Sequence, residues 1–383
     1  MSEELPIYLD HNASTPVLPQ VLEAMLPYFS HHYGNPSSQH AFGRAAKAAV
    51  ELAREQVAAL IGASPDEIVF TSGGTESNNL AIFGASAARP YKHHLVTSSI
   101  EHPAVRVPCS RLVRDGARAS ILAVDESGRV SVSDAKAAIN DNTLLVTVML
   151  ANNETGAVQP IEELGALAEG VGALLHVDAS QALGKIPVKV GKLRASLLSI
   201  AGHKMYAPKG VGALFVKRGS MLTPRLLGAT HERGMRPGTE NVPAIVGLGK
   251  AAALLSENLE QEQERQLRLA QKLWSELSAQ VPGLRLNGPS FEQPRLPNTL
   301  SLRFPGVWGS RVLAETPLVA ASTGAACHDG QESASSGILA LGLSEQEARG
   351  TVRISLGRLT SEADVERAAS ALAEGFSRAS ALS

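Results

Sequence analysis

Between about residue 65 and residue 220, short apolar runs alternate with stretches of helical character, and this alternation restricts the fold more than any other feature. The runs Glu67-Ile-Val-Phe-Thr71, His94-Leu-Val-Thr97, Thr143-Leu-Leu-Val-Thr-Val-Met149, Ala173-Leu-Leu-His-Val177 and Gly212-Ala-Leu-Phe-Val216 read as strands. They are apolar almost throughout, as strands are when both faces are buried, and helical connections suit parallel neighbours. The expectation is an α/β fold around a mostly parallel sheet. At 383 residues the chain is too long for one small core, so two domains are expected. A long charged helical pattern, Leu254 to Val281, reads as the bridge to the second. Short strands such as Asn298-Thr-Leu-Ser-Leu302 and an amphipathic helix near Asp364 to Leu382 follow it. That tail reads as a smaller α+β domain joined by the N-terminal residues. The expected division is 15–255 for the large domain, and 1–14 with 256–383 for the small one. The stretch from Ala320 to Gly337 is poor in large apolar side chains and is expected to be mobile.

Composition removes several functions. A net charge of −2 gives no general attraction to nucleic acid or to anionic lipid. No apolar stretch reaches the roughly 18 residues a membrane span needs. Met1-Ser-Glu-Glu-Leu-Pro6 has neither the basic nor the apolar region of a secretory signal, which predicts a cytoplasmic protein. Cys109 and Cys327 make no disulfide framework and no zinc pattern, so no metal is expected.

In parallel sheets ligands gather at the carboxyl ends of the strands. Four runs end there in polar groups: Ser72-Gly-Gly-Thr-Glu-Ser77, Ser98-Ser-Ile-Glu-His102, Asn152-Asn-Glu154 and Asp178-Ala-Ser-Gln181. Two glycines before a helix let an anion approach free backbone N–H groups. A capped helix with Thr75 as the cap reads equally well from the same residues. His102 suits stacking on an aromatic ring and proton transfer near neutral pH; a structural histidine is the plainer reading. Arg353, in Val352-Arg-Ile-Ser355, suits a carboxylate or a structural ion pair.

Lys204 follows the apolar Leu197-Leu-Ser-Ile-Ala201, and Asp178 closes the run before it. A lysine to form a Schiff base and an acid to keep a pyridinium nitrogen protonated are what a pyridoxal phosphate site needs. An amine beside apolar surface has a lowered pKa that favours imine formation. Cys327 sits in Ser322-Thr-Gly-Ala-Ala-Cys-His328 with few apolar neighbours, the surroundings of an accessible nucleophile. Cys109 reads as an inert core cysteine.

These residues resemble the NifS/IscS-like cysteine desulfurases and the related selenocysteine lyases, of the class V aminotransferase-like group. The resemblance runs from Tyr8-Leu-Asp-His-Asn-Ala-Ser-Thr-Pro16 to Arg353-Ile-Ser-Leu-Gly-Arg358, nearly the whole chain. Its markers are Gly34-Asn-Pro-Ser-Ser38, Thr71-Ser-Gly-Gly-Thr-Glu-Ser-Asn-Asn79, Asn152-Asn-Glu-Thr-Gly156, His176-Val-Asp-Ala-Ser-Gln181, Gly202-His-Lys204 and Arg236-Pro-Gly-Thr239. The resemblance implies pyridoxal phosphate fold type I, aspartate aminotransferase-like, with a mostly parallel seven-stranded sheet and a homodimeric assembly. It implies Lys204 as the Schiff-base lysine, Asp178 on the ring nitrogen, His102 stacked on the ring, and Asn153 and Gln181 near the ring hydroxyl. Gly74, Thr75 and His203 would hold the phosphate, with Thr239 reaching across from the partner. Asn35 and Arg353 would grip the substrate carboxylate, and Cys327 would accept sulfur on its way to an acceptor protein. Ala201 stands where many cysteine desulfurases carry serine; Pro103 stands where animal selenocysteine lyases carry aspartate. The implied activity is removal of sulfur or selenium from L-cysteine or L-selenocysteine to give L-alanine. A dedicated selenocysteine lyase, or an aminotransferase or β-lyase on another amino acid, are the alternatives.

Overall fold

The computed structural model describes residues 5–323, 327, 328, 331, 332 and 334–382, with backbone alone at 327, 328, 331 and 332. Seven strands form one sheet in the order Ile68–Thr71, Gly212–Val216, Leu197–Ala201, Leu174–Asp178, Thr143–Met149, His94–Ser98, Arg118–Leu122. Only Gly212–Val216 runs antiparallel to its neighbours; the other pairings are parallel.

The apolar runs explain this arrangement. Successive side chains of a strand point to opposite faces. Leu145, Leu174 and Leu197 enter a core with Leu80, Ile82 and Leu95. Their immediate neighbours Val146, Leu175 and Leu198 enter another with Val57, Ile61, Leu164 and Leu248. Each fully buried leucine or isoleucine adds about 2 kcal/mol by removal of its surface from water. A strand with apolar residues at every position therefore gains on both faces and settles in the middle of the sheet.

The expected strands appear with ends shifted by a residue or so. Arg118–Leu122 was not expected. It is the outermost strand, paired only with His94–Ser98, and Arg118, Ala119 and Ile121 are exposed. With one neighbour and one wet side, it needs no apolar run.

A second core gathers Leu269, Leu273 and Leu277 of the helix Leu259–Gln280 with Val365, Ala368 and Leu372 of the helix Glu362–Ala381. Both pack on an antiparallel sheet in the order Thr351–Ser355, Thr299–Arg303, Arg285–Leu286. Ile7 and Leu9 join this core, and Ile7–Tyr8 pairs in parallel with Val319–Ala320. The expected bridging helix is broken at Asn258 (φ −137°, ψ 34°) into Val242–Glu257 and Leu259–Gln280. The first piece buries Ile245, Leu248 and Leu255 in the large core; the second faces the small one. One straight rod could not present its apolar stripe to both.

Part of the stretch 320–337, where mobility is expected, lies outside the described residues. At Cys327 the backbone forms a short strand, Cys327–His328, antiparallel to Gln331–Glu332. Among the described residues no helix is long and apolar enough to cross a membrane.

Candidate active site

A cavity of about 340 Å³ opens where the parallel strands end. Gly74, Thr75, His102, Asn153, Asp178, Gln181, His203, Lys204 and Arg353 all line it. One edge of the sheet thus collects the groups that its strand ends carry.

The helix Gly74–Ala88 begins at this edge. Its N-cap is Gly73 rather than Thr75, because the chain turns there with φ 147°, a region glycine enters without strain. A Cβ on Gly74 would lie 3.0 Å from Ser180 Oγ and 3.2 Å from the Ala201 methyl. Backbone here approaches the neighbouring loop as closely as packing allows. The first-turn N–H groups have no partner inside the helix and carry its partial positive charge. Glu76 is occupied elsewhere: it accepts from Ser72 N at 2.7 Å and pairs with Arg236 Nε at 3.0 Å.

Asp178 ends its strand in the middle of the sheet and is held from two sides. Oδ2 accepts from Asn78 Nδ2 at 2.8 Å, and Oδ1 accepts from Ser180 N at 3.0 Å. The carboxylate is buried yet faces the cavity, ready to take a further N–H. Asn78 Oδ1 is buried without a hydrogen-bond partner among the described residues.

Lys204 projects from the turn after Leu197–Ala201. Its amine donates to Asn12 O at 2.6 Å and Ala13 O at 2.7 Å. Burial first, then the Arg353 charge, lowers its pKa to about 8, against the pull of Asp10 and Asp178. At pH 7 about a tenth is then free amine, far more than for an ordinary lysine. His203, alongside, is pushed down to about 4 by burial and by Lys204, so its ring is neutral at pH 7.

His102 caps the helix Pro103–Arg114, its Nδ1 accepting from Ala104 N at 3.1 Å. That bond fixes the ring plane and leaves Nε2 to carry the proton. The ring is open to the cavity on one side, and crowding by protein on the other lowers its pKa. Arg353, buried, pairs with Asp10 Oδ1 at 2.7 Å, and its Nε has no partner among the described residues. A guanidinium with spare donors at a cavity wall is a receptor for a carboxylate.

Asn35 and Thr239 do not line the cavity of this chain. Both are exposed, and the Asn35 side chain accepts from Ser37 N at 2.9 Å. The side chain of Cys327 lies outside the described residues. The segment that carries it is fastened on one side to Arg353 of the cavity wall and on the other to Glu154, next to the lining Asn153. Ser322 exchanges backbone hydrogen bonds with Arg353 at 3.2 and 2.6 Å, and Ser335 Oγ donates to Glu154 at 2.5 Å.

Several lining residues carried no signal of their own. Asn12, Ala13, Asn78 and Ser180 lie inside stretches that mark the resemblance, but nothing in their types or spacing singled them out. Among the described residues no cluster of His, Cys, Asp and Glu is fit to hold a metal ion.

Residues 7–368 match the family model described as Aminotransferase class-V. Over 379 residues the chain is 46% identical to a cysteine desulfurase of Nostoc sp. (strain PCC 7120), covering 98% of this chain and 94% of that one. A solved NifS-like protein superposes with a TM-score of 0.91 at 34% identity, covering 98% of this chain and all (100%) of that one. A solved structure of SspA in complex with cysteine matches with a TM-score of 0.81 at 38% identity, covering 91% and 98%. Its central sheet, its strand-end cavity and these likenesses agree: the chain belongs to the class V aminotransferase family.

Proposed function

We propose that this chain is a pyridoxal phosphate-dependent cysteine desulfurase, which takes sulfur from L-cysteine, releases L-alanine and receives the sulfur as a persulfide on Cys327. The reading is carried by the convergence of Lys204, Asp178 and the start of the Gly74 helix on one cavity. The relatives named cysteine desulfurase and the cysteine complex of SspA support the substrate.

Three features fit the cofactor. The glycine approach at Gly74, with the helix start and neutral His203, suits a phosphate dianion. Asp178, fixed by Asn78 and Ser180, suits a protonated ring nitrogen. The unpartnered Asn78 Oδ1 at the cavity wall is a polar atom left for a ligand. Lys204 would hold the aldehyde carbon, His102 would cover the ring face, and Asn153 and Gln181 would lie at the ring hydroxyl. Gly74, Thr75 and His203 would take the phosphate. When bound, this group supplies an electron sink for the carbanion formed at the substrate Cα.

The chain's own residues do the rest. Arg353 orients the substrate through its carboxylate. The Lys204 amine, when free, would be the base that takes the Cα proton; its lowered pKa suits that exchange near pH 8. His102 moves protons at the same face. Cys327 attacks as thiolate: its sulfur bonds to the substrate sulfur and the C–S bond breaks. The electron pair goes to the substrate Cβ, which takes a proton, and Lys204 returns the proton at Cα, completing alanine.

The assembly in this reading is a cytoplasmic homodimer. Thr239 reaches the phosphate of the other subunit, and Asn35 meets the substrate carboxylate in the assembled dimer. Both are exposed in this chain, and Asn35 lies two residues from Tyr33, which forms with Phe42 an exposed aromatic pair whose rings are 5.6 Å apart. Residues 15–255 form the large domain; 1–14 and 256–383 form the small one. A sulfur- or selenium-acceptor protein takes the product from Cys327.

The test is alanine formation from L-cysteine and L-selenocysteine by holo-protein and by Cys327→Ala. Turnover on cysteine that disappears in the variant is the expected result. A variant that retains full cysteine turnover refutes the persulfide, and strong preference for selenocysteine refutes the substrate.

A further inference from the structure

Behind the cavity wall lies a second lysine that the reaction above does not use. Lys185 is only 5% exposed, and no carboxylate pairs with it among the described residues. Its amine donates to Gln181 Oε1 at 2.7 Å and to Asn12 Oδ1 at 3.0 Å. The far end of the Gln181 amide donates from Nε2 to Asn12 O at 2.9 Å. That carbonyl is the one on which the Lys204 amine rests at 2.6 Å. Lys185, Gln181, Asn12 and Lys204 therefore form a continuous chain of hydrogen bonds.

Direction is imposed at both ends of the Gln181 amide: Asn12 O takes its nitrogen, and Lys185 takes its oxygen. An amide can turn over at little cost unless a neighbour tells its oxygen from its nitrogen. An amine giving two hydrogens to two oxygens does so at both side chains at once. Asn12 is held further by donation to Thr299 Oγ1 at 2.8 Å and to Asn153 O at 3.1 Å. Among the described residues the Gln181 side chain has no such further hydrogen bond beyond Lys185 and Asn12 O.

We propose that Lys185 is a positioning residue for the cofactor pocket: it turns the Gln181 oxygen away, so that the amide nitrogen serves Asn12 O and presents its second hydrogen to the cavity. The inference rests on the cofactor reading above. An N–H donor facing the cavity matches an oxygen anion on a bound ring; an amide oxygen in its place would repel one. Burial lowers the Lys185 pKa well below the ordinary value, and Lys204 and Arg353 push the same way.

The experiment measures the Kd of pyridoxal phosphate for the apo chain and the visible absorbance maximum of the bound cofactor. The proteins are wild type, Lys185→Met, Gln181→Ala and the double variant. Loss of one oriented hydrogen bond predicts roughly 3- to 10-fold weaker binding in Lys185→Met, with a shifted absorbance maximum. Both effects should vanish when Lys185→Met is made in the Gln181→Ala background. If Lys185→Met does not fold, Lys185→Gln, which keeps one donor group, takes its place in the cycle. Unaltered Kd and absorbance, or the same loss with Gln181 absent, overturns the role of Lys185. A wild-type chain that gains no visible band overturns the cofactor reading and this inference together.

Discussion

Glu232 offers the sharpest test of how the fold holds the loop that leads to Thr239. Glu232 and Arg233 both have positive φ, 47° and 56°, an uncommon conformation for non-glycine residues. What compels it is a buried pair: Arg54 Nη1 and Nη2 donate to Glu232 Oε2 and Oε1 at 2.8 and 2.9 Å. Glu232 Oε2 also accepts from Phe70 N at 2.8 Å, where the sheet's edge strand has no other neighbour. Arg54 in turn lies over the Phe70 ring, 4.7 Å from its centroid. Glu232→Ala takes two hydrogen bonds from a buried guanidinium, which keeps only the half-exposed Glu51 and Ile68 O, and leaves the Phe70 N–H without its acceptor. Breaking a buried pair from one side costs about 3–5 kcal/mol. For a cooperative unit of about 240 residues, melting entropy converts this to a Tm loss of roughly 6–10 °C. The assay is calorimetry of the apo chain at pH 7, with Arg54→Met/Glu232→Leu beside the single variant. The double variant should recover part of the loss, because no charge is then buried alone, while the Phe70 N–H stays unpaired. A single-variant loss below 2 °C, or a double variant worse than the single, refutes the account.

Four further outcomes follow from the site. Asp178→Asn should still bind the cofactor but lose about 100-fold or more in alanine formation, since a neutral amide does not hold a ring nitrogen protonated; steady-state assays check it. The rate at which apo chain takes up pyridoxal phosphate should rise with pH through about 8, as the Lys204 ammonium loses its proton. Arg353→Met should move that midpoint upward, because removing a neighbouring positive charge makes Lys204 easier to protonate; stopped-flow absorbance from pH 6.5 to about 9.5 reads both. Gly74→Ala places a methyl group 3.0 Å from Ser180 Oγ and should weaken cofactor binding about 10-fold with little change in Tm. An unchanged Kd would mean that the phosphate does not sit at this helix start.

The sequence was most legible where the physics is local. Runs such as Leu174–Asp178 advertise burial on both faces, so the sheet and the polar groups at its strand ends follow from neighbouring residues. Lys204, Asp178, His102 and Gln181 each lie within a few residues of such an end. Arg118–Leu122 escaped because an edge strand can carry Arg118 and leave Ile121 exposed. The break at Asn258 escaped because the apolar rhythm continues across it while the face it serves changes. Asn12 and Lys185 were illegible for a different reason. Asn12 meets Asn153, Thr299 and Ser355, between 141 and 343 residues away, and no window of sequence contains such a contact. Asn35 and Thr239 came from the resemblance alone, and in a single chain both lie away from the cavity.

The N-terminal strand's place among the last strands of the chain bears on when the enzyme comes into being. Asp10 bridges Ser355, Asn12 N donates to Ser355 Oγ, and Arg353 pairs with Asp10. The carbonyls that hold Lys204 belong to Asn12 and Ala13, a segment tied to Gln181, Lys185 and His203 as well, so its seat is complete only when residues near 355 have left the ribosome and joined those contacts. At about 5–20 residues per second of synthesis, the large sheet has many seconds to form before that happens. A nascent chain thus owns its lysine and its acid long before it owns a finished pocket. The last strand to be made acts as the closing stitch that turns a folded scaffold into a catalyst.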